Sequence, residues 1–233
     1  MIDLIVGCPT RNRTWILPQW KEYVEAAVPE GFHLSYVFVV GDDDHQTIDL
    51  LSTWKSTKII KVAEDEIPEE RSWGNKNRFH HLAYLRNVML EYVRSQTPDL
   101  FLSLDSDILI NPETICNLYE TVVQCNADAV GGLTYFDQMD KKTTNVGNWN
   151  SKADKTGFRR VVSDGVFKVD IIMGIKMMTE SAYNVDYQYH NNGEDLGWAV
   201  AVKDLNIFFD GRAASKHVMH KDWLNRKDVR VGY

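Results

Sequence analysis

The chain has 233 residues, 44% of them hydrophobic and 25% charged, enough for one large domain with a substantial core and the make-up of an ordinary globular protein. Its 26 basic and 33 acidic residues leave a net charge of −7 with no basic block, which disfavours a bulk electrostatic grip on nucleic acid and leaves only a local basic groove open. Three cysteines without a CxxC pair suggest neither a disulfide framework nor a zinc knuckle. The start shows no secretory pattern and no run approaches the roughly 20 apolar residues needed to span a bilayer, so a cytoplasmic protein without a membrane span is expected.

Residues 2–8 form a short, nearly continuous apolar run, the pattern of a strand buried on both faces. Pro9-Thr10-Arg11-Asn12-Arg13 breaks it with turn chemistry, and residues 17–28 read as a helix. A second buried strand at 34–40 ends at Gly41-Asp42-Asp43-Asp44; a helix at 48–54 and a strand at 58–62 follow. The charged stretch 64–77, with Pro68 and Gly74, reads as loop. Phe79, Leu82, Leu85, Met89 and Val93 then step by three or four, marking an amphipathic helix over 78–94, followed by a strand at 100–104. Beyond it come a helix at 112–124 with proline in its first turn and a strand at 127–136 interrupted by Gly131-Gly132. The polar segment 137–160 has the length of a functional lid or a disordered loop. Strand-like runs over 161–178, a helix at 193–203, a short strand at 205–209 and a tail from 211 to 233 complete the reading.

Strands alternating with helices imply βαβ units and a mainly parallel sheet, whose ligands bind beyond the carboxyl ends of the strands. Three strand ends deliver polar clusters to that edge: Pro9-Thr10-Arg11, Asp42-Asp43-Asp44 and Asp105-Ser106-Asp107. In an extended backbone Asp105 and Asp107 would share one face, about 6–7 Å apart along the strand, and their repulsion would be relieved by a cation. All-oxygen ligands suit a hard divalent ion completed by substrate phosphates.

This order of features resembles the glycosyltransferases of the nucleotide-diphospho-sugar (GT-A) fold, especially the family 2-like branch, over nearly the whole chain. The resemblance implies one GT-A domain over residues 1–233. Residues from 1 to about 110 would bind the nucleotide sugar and those from about 111 to 233 the acceptor. Cys8-Pro9-Thr10-Arg11-Asn12-Arg13 looks like the segment that receives the nucleobase, so Pro9, Thr10, Arg11 and Arg13 are implied donor contacts. Asp42 and Asp43 fall where such enzymes place an aspartate on the base. Leu85-Arg86-Asn87 looks like the helix motif beside ribose and diphosphate; Arg86 would meet the diphosphate or pair with an acidic neighbour. Asp105-Ser106-Asp107 matches the DxD motif and Gly193-Glu194-Asp195-Leu196 the ED motif. His217 falls at a metal-binding position, with His220 as the alternative. Asp107 would then be the firmer metal ligand, while Asp105 would bind ribose, metal or both. His217 would add a nitrogen that favours Mn2+ over Mg2+.

A divalent ion would stabilise a diphosphate leaving group as a Lewis acid, and a positioned carboxylate would take the acceptor hydroxyl's proton. Asp195 is the candidate base, with Glu194 placing the hydroxyl or serving instead. Ser106, Lys216, Trp149 and Trp223 are further candidate ligand contacts, the tryptophans by stacking or by closing the donor site. The expected activity is single-sugar transfer from a UDP- or GDP-sugar with inversion, retention being the variant outcome. The alternatives are a sugar-nucleotide pyrophosphorylase, against which the glycine-free Pro9–Arg13 turn speaks, and a binding module without catalysis.

Overall fold

A computed structural model describes residues 1–63, 76–135, 144–149, 158–160 and 165–224. The first half runs β1 (Ile2–Thr10), α1 (Leu17–Ala27), β2 (Phe32–Gly41), α2 (His45–Ser52), β3 (Thr57–Val62), α3 (Lys76–Gln96), β4 (Leu100–Leu104) and β5 (Ile108–Ile110). Then come α4 (Thr114–Cys125), β6 (Ala129–Leu133), β7 (Val146–Trp149), β8 (Phe158–Arg160), β9 (Val166–Lys168) and β10 (Ile171–Ile172). The chain continues through β11 (Ile175–Met178), α5 (Glu180–Tyr183), α6 (Glu194–Ala201) and β12 (Ile207–His217).

Among the described residues, a nine-stranded mixed sheet runs β3-β2-β1-β4-β11-β6-β12-β5, with β9 paired to β12; β10, β7 and β8 make a small second sheet. Strands β3, β2, β1 and β4 are mutually parallel, as are β6 and β12, while β11 runs antiparallel between β4 and β6. Side chains from α1, α2 and α4 pack one face of the large sheet, and those from α3, α5 and α6 pack the other. Covered on both faces, β4 is buried at every position, which is why its sequence is an unbroken apolar run but for Ser103. In α1, Pro18 sits in the first turn, and Leu17, Trp20, Val24 and Ala27 recur on the buried face. No helix of the described residues is long and apolar enough to cross a membrane.

Three expectations change. The strand ends at Leu104, and the Ile108 N–H donates to the Asp105 carbonyl at 3.0 Å. Asp105-Ser106-Asp107 is therefore a turn between β4 and β5, not two same-face positions of one strand. The strand expected at 205–209 continues to His217, so residues 211–217 are sheet rather than tail. It does so by a register shift between Asp210 and Ala214, after which β12 pairs with β5. The polar segment 137–160 contains β7 and β8; its residues 137–143 and 150–157, with 64–75 of the expected charged loop and 225–233 of the tail, lie outside the described residues.

Candidate active site

The strand order reverses between β1 and β4: β2 and β3 build outward from one side of β1, and β4 lies on the other. In an open parallel sheet such a switch point leaves a crevice at the carboxyl ends of the strands. Thr10 and Asp105 stand at that edge, and side chains from seven elements or their flanks converge on it.

Arg86 is at its centre. It lies on the stripe of α3 that also buries Ala83, Met89, Leu90 and Val93, and is itself only 4% exposed. Its Nη2 donates to Asp105 Oδ1 at 2.9 Å, its Nε to Glu194 Oε1 at 3.1 Å and its Nη1 to Ser103 Oγ at 3.3 Å. One guanidinium thus ties the end of β4 to the first residue of α6. Burial pushes the Asp105 carboxyl up even beside Arg86, with Asp195 and Asp107 adding to the rise. Burial and the neighbouring Asp195 likewise push Glu194 up.

Asp195 behaves differently. Its carboxylate is bound by Lys176 from the middle of β11. Burial favours its neutral form, but Lys176 foremost, then Arg86 and an N–H from Gly174, hold it below the ordinary carboxylate range. Gly174 has φ +75 and also accepts the Asp105 N–H at 3.0 Å, so one left-handed residue connects the Asp105 turn to Asp195. Lys176 was not among the residues singled out from the sequence, yet the signal was present. It is the single charge in the apolar run from Ile171 to Met178.

Asp107 forms a second centre. Its Oδ2 accepts from Arg13 Nη2 at 3.1 Å, and its Oδ1 lies 3.6 Å from His217 Nε2. His217 Nδ1 is 3.1 Å from the Tyr135 carbonyl, an acceptor only, so Nδ1 carries a proton. In a neutral ring the Nε2 lone pair would then face a carboxylate oxygen, an arrangement of two acceptors that a shared proton or cation relieves. A proton relieves this: burial favours neutral His217, but Asp107 raises its pKa overall. A divalent cation drawing on Oδ1 and Nε2 would relieve it equally, and an imidazole whose other nitrogen is fixed by a carbonyl is a usual metal ligand. The residues present therefore fit such an ion, although among the described residues no three His, Cys, Asp or Glu side chains converge as a complete cage. His220 is exposed and sits edge-on to Trp223, so of the two histidines His217 is the one on Asp107.

At the ends of β1 and β2, Arg11 Nη2 donates to Asp43 Oδ2 at 2.5 Å. Thr10 is buried, and its Oγ1 has no hydrogen-bond partner among the described residues. Asp42 is exposed beside them. Pro9 pairs with Val39 in the β1–β2 ladder, one residue before Thr10. Asp44, not singled out as a site residue, accepts the N–H of Asn12 at 2.6 Å and that of Thr47 at 3.2 Å, capping α2 and anchoring the loop after β1.

The remaining candidates are more dispersed. Ser106 is buried in the turn between the two aspartates. Lys216, on β12 next to His217, donates to the Leu224 carbonyl at 3.3 Å. Trp149 packs on Ile171, Leu196 and Ala199 with its ring 6.3 Å from that of His190, which places it against α6. Trp223 packs on the core face that holds α1 and α4. Cys8 is fully buried, and burial pushes its thiol well up, as suits a packing residue rather than a nucleophile.

No protein-family model matches the chain, and no curated protein matches it in sequence. Solved structures do. The crystal structure of S. aureus TarS 1–349 aligns with a TM-score of 0.56 and 15% identity over 92% of this chain and 59% of that one. Its complex with UDP-GlcNAc aligns with a TM-score of 0.57 and 15% identity over 92% and 57%. The complex with UDP gives 0.55 and 14% over 92% and 59%. The chain thus spans less than two thirds of these proteins' length. At such identity the likeness concerns the fold, and the α/β, GT-A-like architecture expected from the sequence is the one found.

Proposed function

We propose that the chain is a metal-dependent glycosyltransferase that moves one sugar from a nucleotide-diphosphate donor to an acceptor hydroxyl. The observation that carries this reading is the convergence, at the β1/β4 switch point, of a cation-seeking Asp107–His217 pair and a buried carboxylate, Asp195, held ionised. The fold shared with a protein crystallised with UDP-GlcNAc and with UDP supports a uridine donor. In this reading Thr10, Arg11, Asp42 and Asp43 receive the base end of the nucleotide. Asp107 and His217 hold Mn2+ or Mg2+, which when bound neutralises charge on the diphosphate leaving group. Arg13, bonded to Asp107, would face the diphosphate from the same side, while Arg86 keeps Asp105 and Glu194 in place. Asp195 takes the acceptor's proton, which makes the outcome inverting. Both acids are bonded to a cation, Glu194 to Arg86 and Asp195 to Lys176; Asp195 is taken as the base because its carboxyl is the one held below the ordinary range, while that of Glu194 is raised.

Thermal unfolding against a panel of UDP- and GDP-sugars, each with and without Mn2+, tests donor binding, because a ligand of the native state raises its apparent stability. A metal-dependent shift with a UDP-sugar, followed by UDP release, is expected. No shift with any donor would overturn the proposal, and binding without turnover would replace it by a sugar-nucleotide-binding module.

A further inference from the structure

Lys176 is an ammonium in the middle of a sheet, 0% exposed, on a strand flanked on both sides by others. Ionised lysine is almost never buried this completely without a dedicated partner. Its Nζ binds Asp195 Oδ1 and otherwise faces aromatic rings, 4.7 Å from the Tyr187 centroid and 5.3 Å from that of Trp198. The two rings supply negative π faces and the Tyr187 hydroxyl stands near the ammonium, but its one anionic partner among the described residues is Asp195. Trp198 belongs to α6, and Tyr187 lies in the segment before it, held to α3 by two hydrogen bonds with Asn87.

The groups facing Asp195 are Lys176 from β11, Arg86 from α3, Tyr187 before α6, Asp105 at the end of β4, and Glu194 on its own helix. Three carboxylates therefore share two cations. Arg86 is committed to Asp105 and Glu194 by direct hydrogen bonds, which leaves Lys176 as the one cation bonded to Asp195 among the described residues. We propose that Lys176 is a positioning residue that fixes the Asp195 carboxylate by bonding its Oδ1 and keeps it ionised. This rests on the reading of Asp195 as general base. Without Lys176, burial and the neighbouring Asp105 and Glu194 would drive Asp195 toward its neutral form, which cannot take a proton.

The test compares the wild-type chain with Lys176→Met, using Mn2+ and UDP-GlcNAc as probe and reading transfer to water as UDP release against pH. In the variant kcat falls by at least about tenfold, part of the 10²–10⁴-fold that general-base catalysis supplies, with KM unchanged and the acid limb of the profile moved to higher pH. A folded variant with the wild-type kcat and acid limb would overturn the proposal. Should Lys176→Met lack the wild-type circular dichroism spectrum, the carboxyl 13C titration of Asp195 is compared between the wild type and Lys176→Gln. A higher midpoint in the variant supports the hold of Lys176, and an unchanged one refutes it. Absence of UDP release by the wild type would instead count against the glycosyltransferase reading, and the same titration would still decide whether Lys176 holds Asp195.

Discussion

His217 Nε2 faces Asp107 Oδ1 at 3.6 Å while its Nδ1 is fixed on the Tyr135 carbonyl at 3.1 Å. That pairing of one oxygen and one nitrogen donor predicts Mn2+ binding strengthened by UDP, since the protein supplies two ligands and a diphosphate can supply others. Asp107→Ala or His217→Ala should weaken Mn2+ affinity by more than the roughly 10–100-fold that outer-shell changes cost. Calorimetric titration of Mn2+ in the presence of UDP measures this. Equal affinity in wild type and both variants would remove the metal assignment.

Arg86 is predicted to be the main electrostatic support of the site. Replacing it with Met leaves Asp105 and Glu194 without the cation that bonds both, and breaking a buried pair in this way costs about 3–5 kcal/mol. Urea unfolding should show that loss, and Arg86→Lys should recover part of it, because an ammonium cannot reproduce three directed contacts. A loss below about 1 kcal/mol for Arg86→Met would mean that the carboxylates find other partners or protons.

These two centres differ in how far the sequence announces them. Apolar runs place β1, β2, β4 and the helices between them to within a few residues, since strands covered on both faces leave little ambiguity of period. Asp105, Asp107, Glu194, Asp195 and His217 are expected together, and the structure brings them to one sheet edge. Pairing is what local pattern does not carry. Whether Arg86 faces solvent or the interior depends on Glu194, 108 positions away. Lys176 reads as an interruption of an apolar strand until α6 lays Asp195 across it. The extension of β12 to His217 was illegible for the same reason: its second half is held by β5, a tertiary pairing.

Asp44 gives a prediction in pH. Burial raises its carboxyl, but the N–H groups of Asn12 and Thr47 more than offset this and hold its pKa below the ordinary value of 3.8. A depressed folded-state pKa contributes stability that is present above the unfolded pKa and lost as pH falls through the folded one. Asp44→Ala should cost about 0.5–2 kcal/mol near neutrality, the usual value of an N-cap. Against Asp44→Asn, which keeps a capping oxygen but no charge, the wild-type advantage should narrow below about pH 4. Urea midpoints at pH 7 and pH 3 check both statements, and a wild-type advantage over Asn of the same size at both would contradict the charge argument.

Gly197 lies in the first turns of α6, where a Cβ would come within 1.8 Å of the Gln188 carbonyl oxygen. The segment before α6 folds back against the helix there, and this contact fixes the height at which Glu194 and Asp195 meet Arg86 and Lys176. Gly197→Ala cannot be accommodated by a rotamer change, because the obstruction is the backbone of Gln188 and Tyr189. The helix or the Tyr187-bearing segment must move, at a cost of about 1–3 kcal/mol typical of overpacking. The expected signature is asymmetric. UDP binding, assigned to the ends of β1 and β2, should persist, whereas UDP release from UDP-GlcNAc should fall, since a displacement of about 1 Å costs on the order of a hundredfold in rate. Calorimetry with UDP and a release assay on the same preparation separate the two. Wild-type rate and melting temperature in Gly197→Ala would show that α6 is free to shift, and that the tie between Lys176 and Asp195 does not depend on its seat.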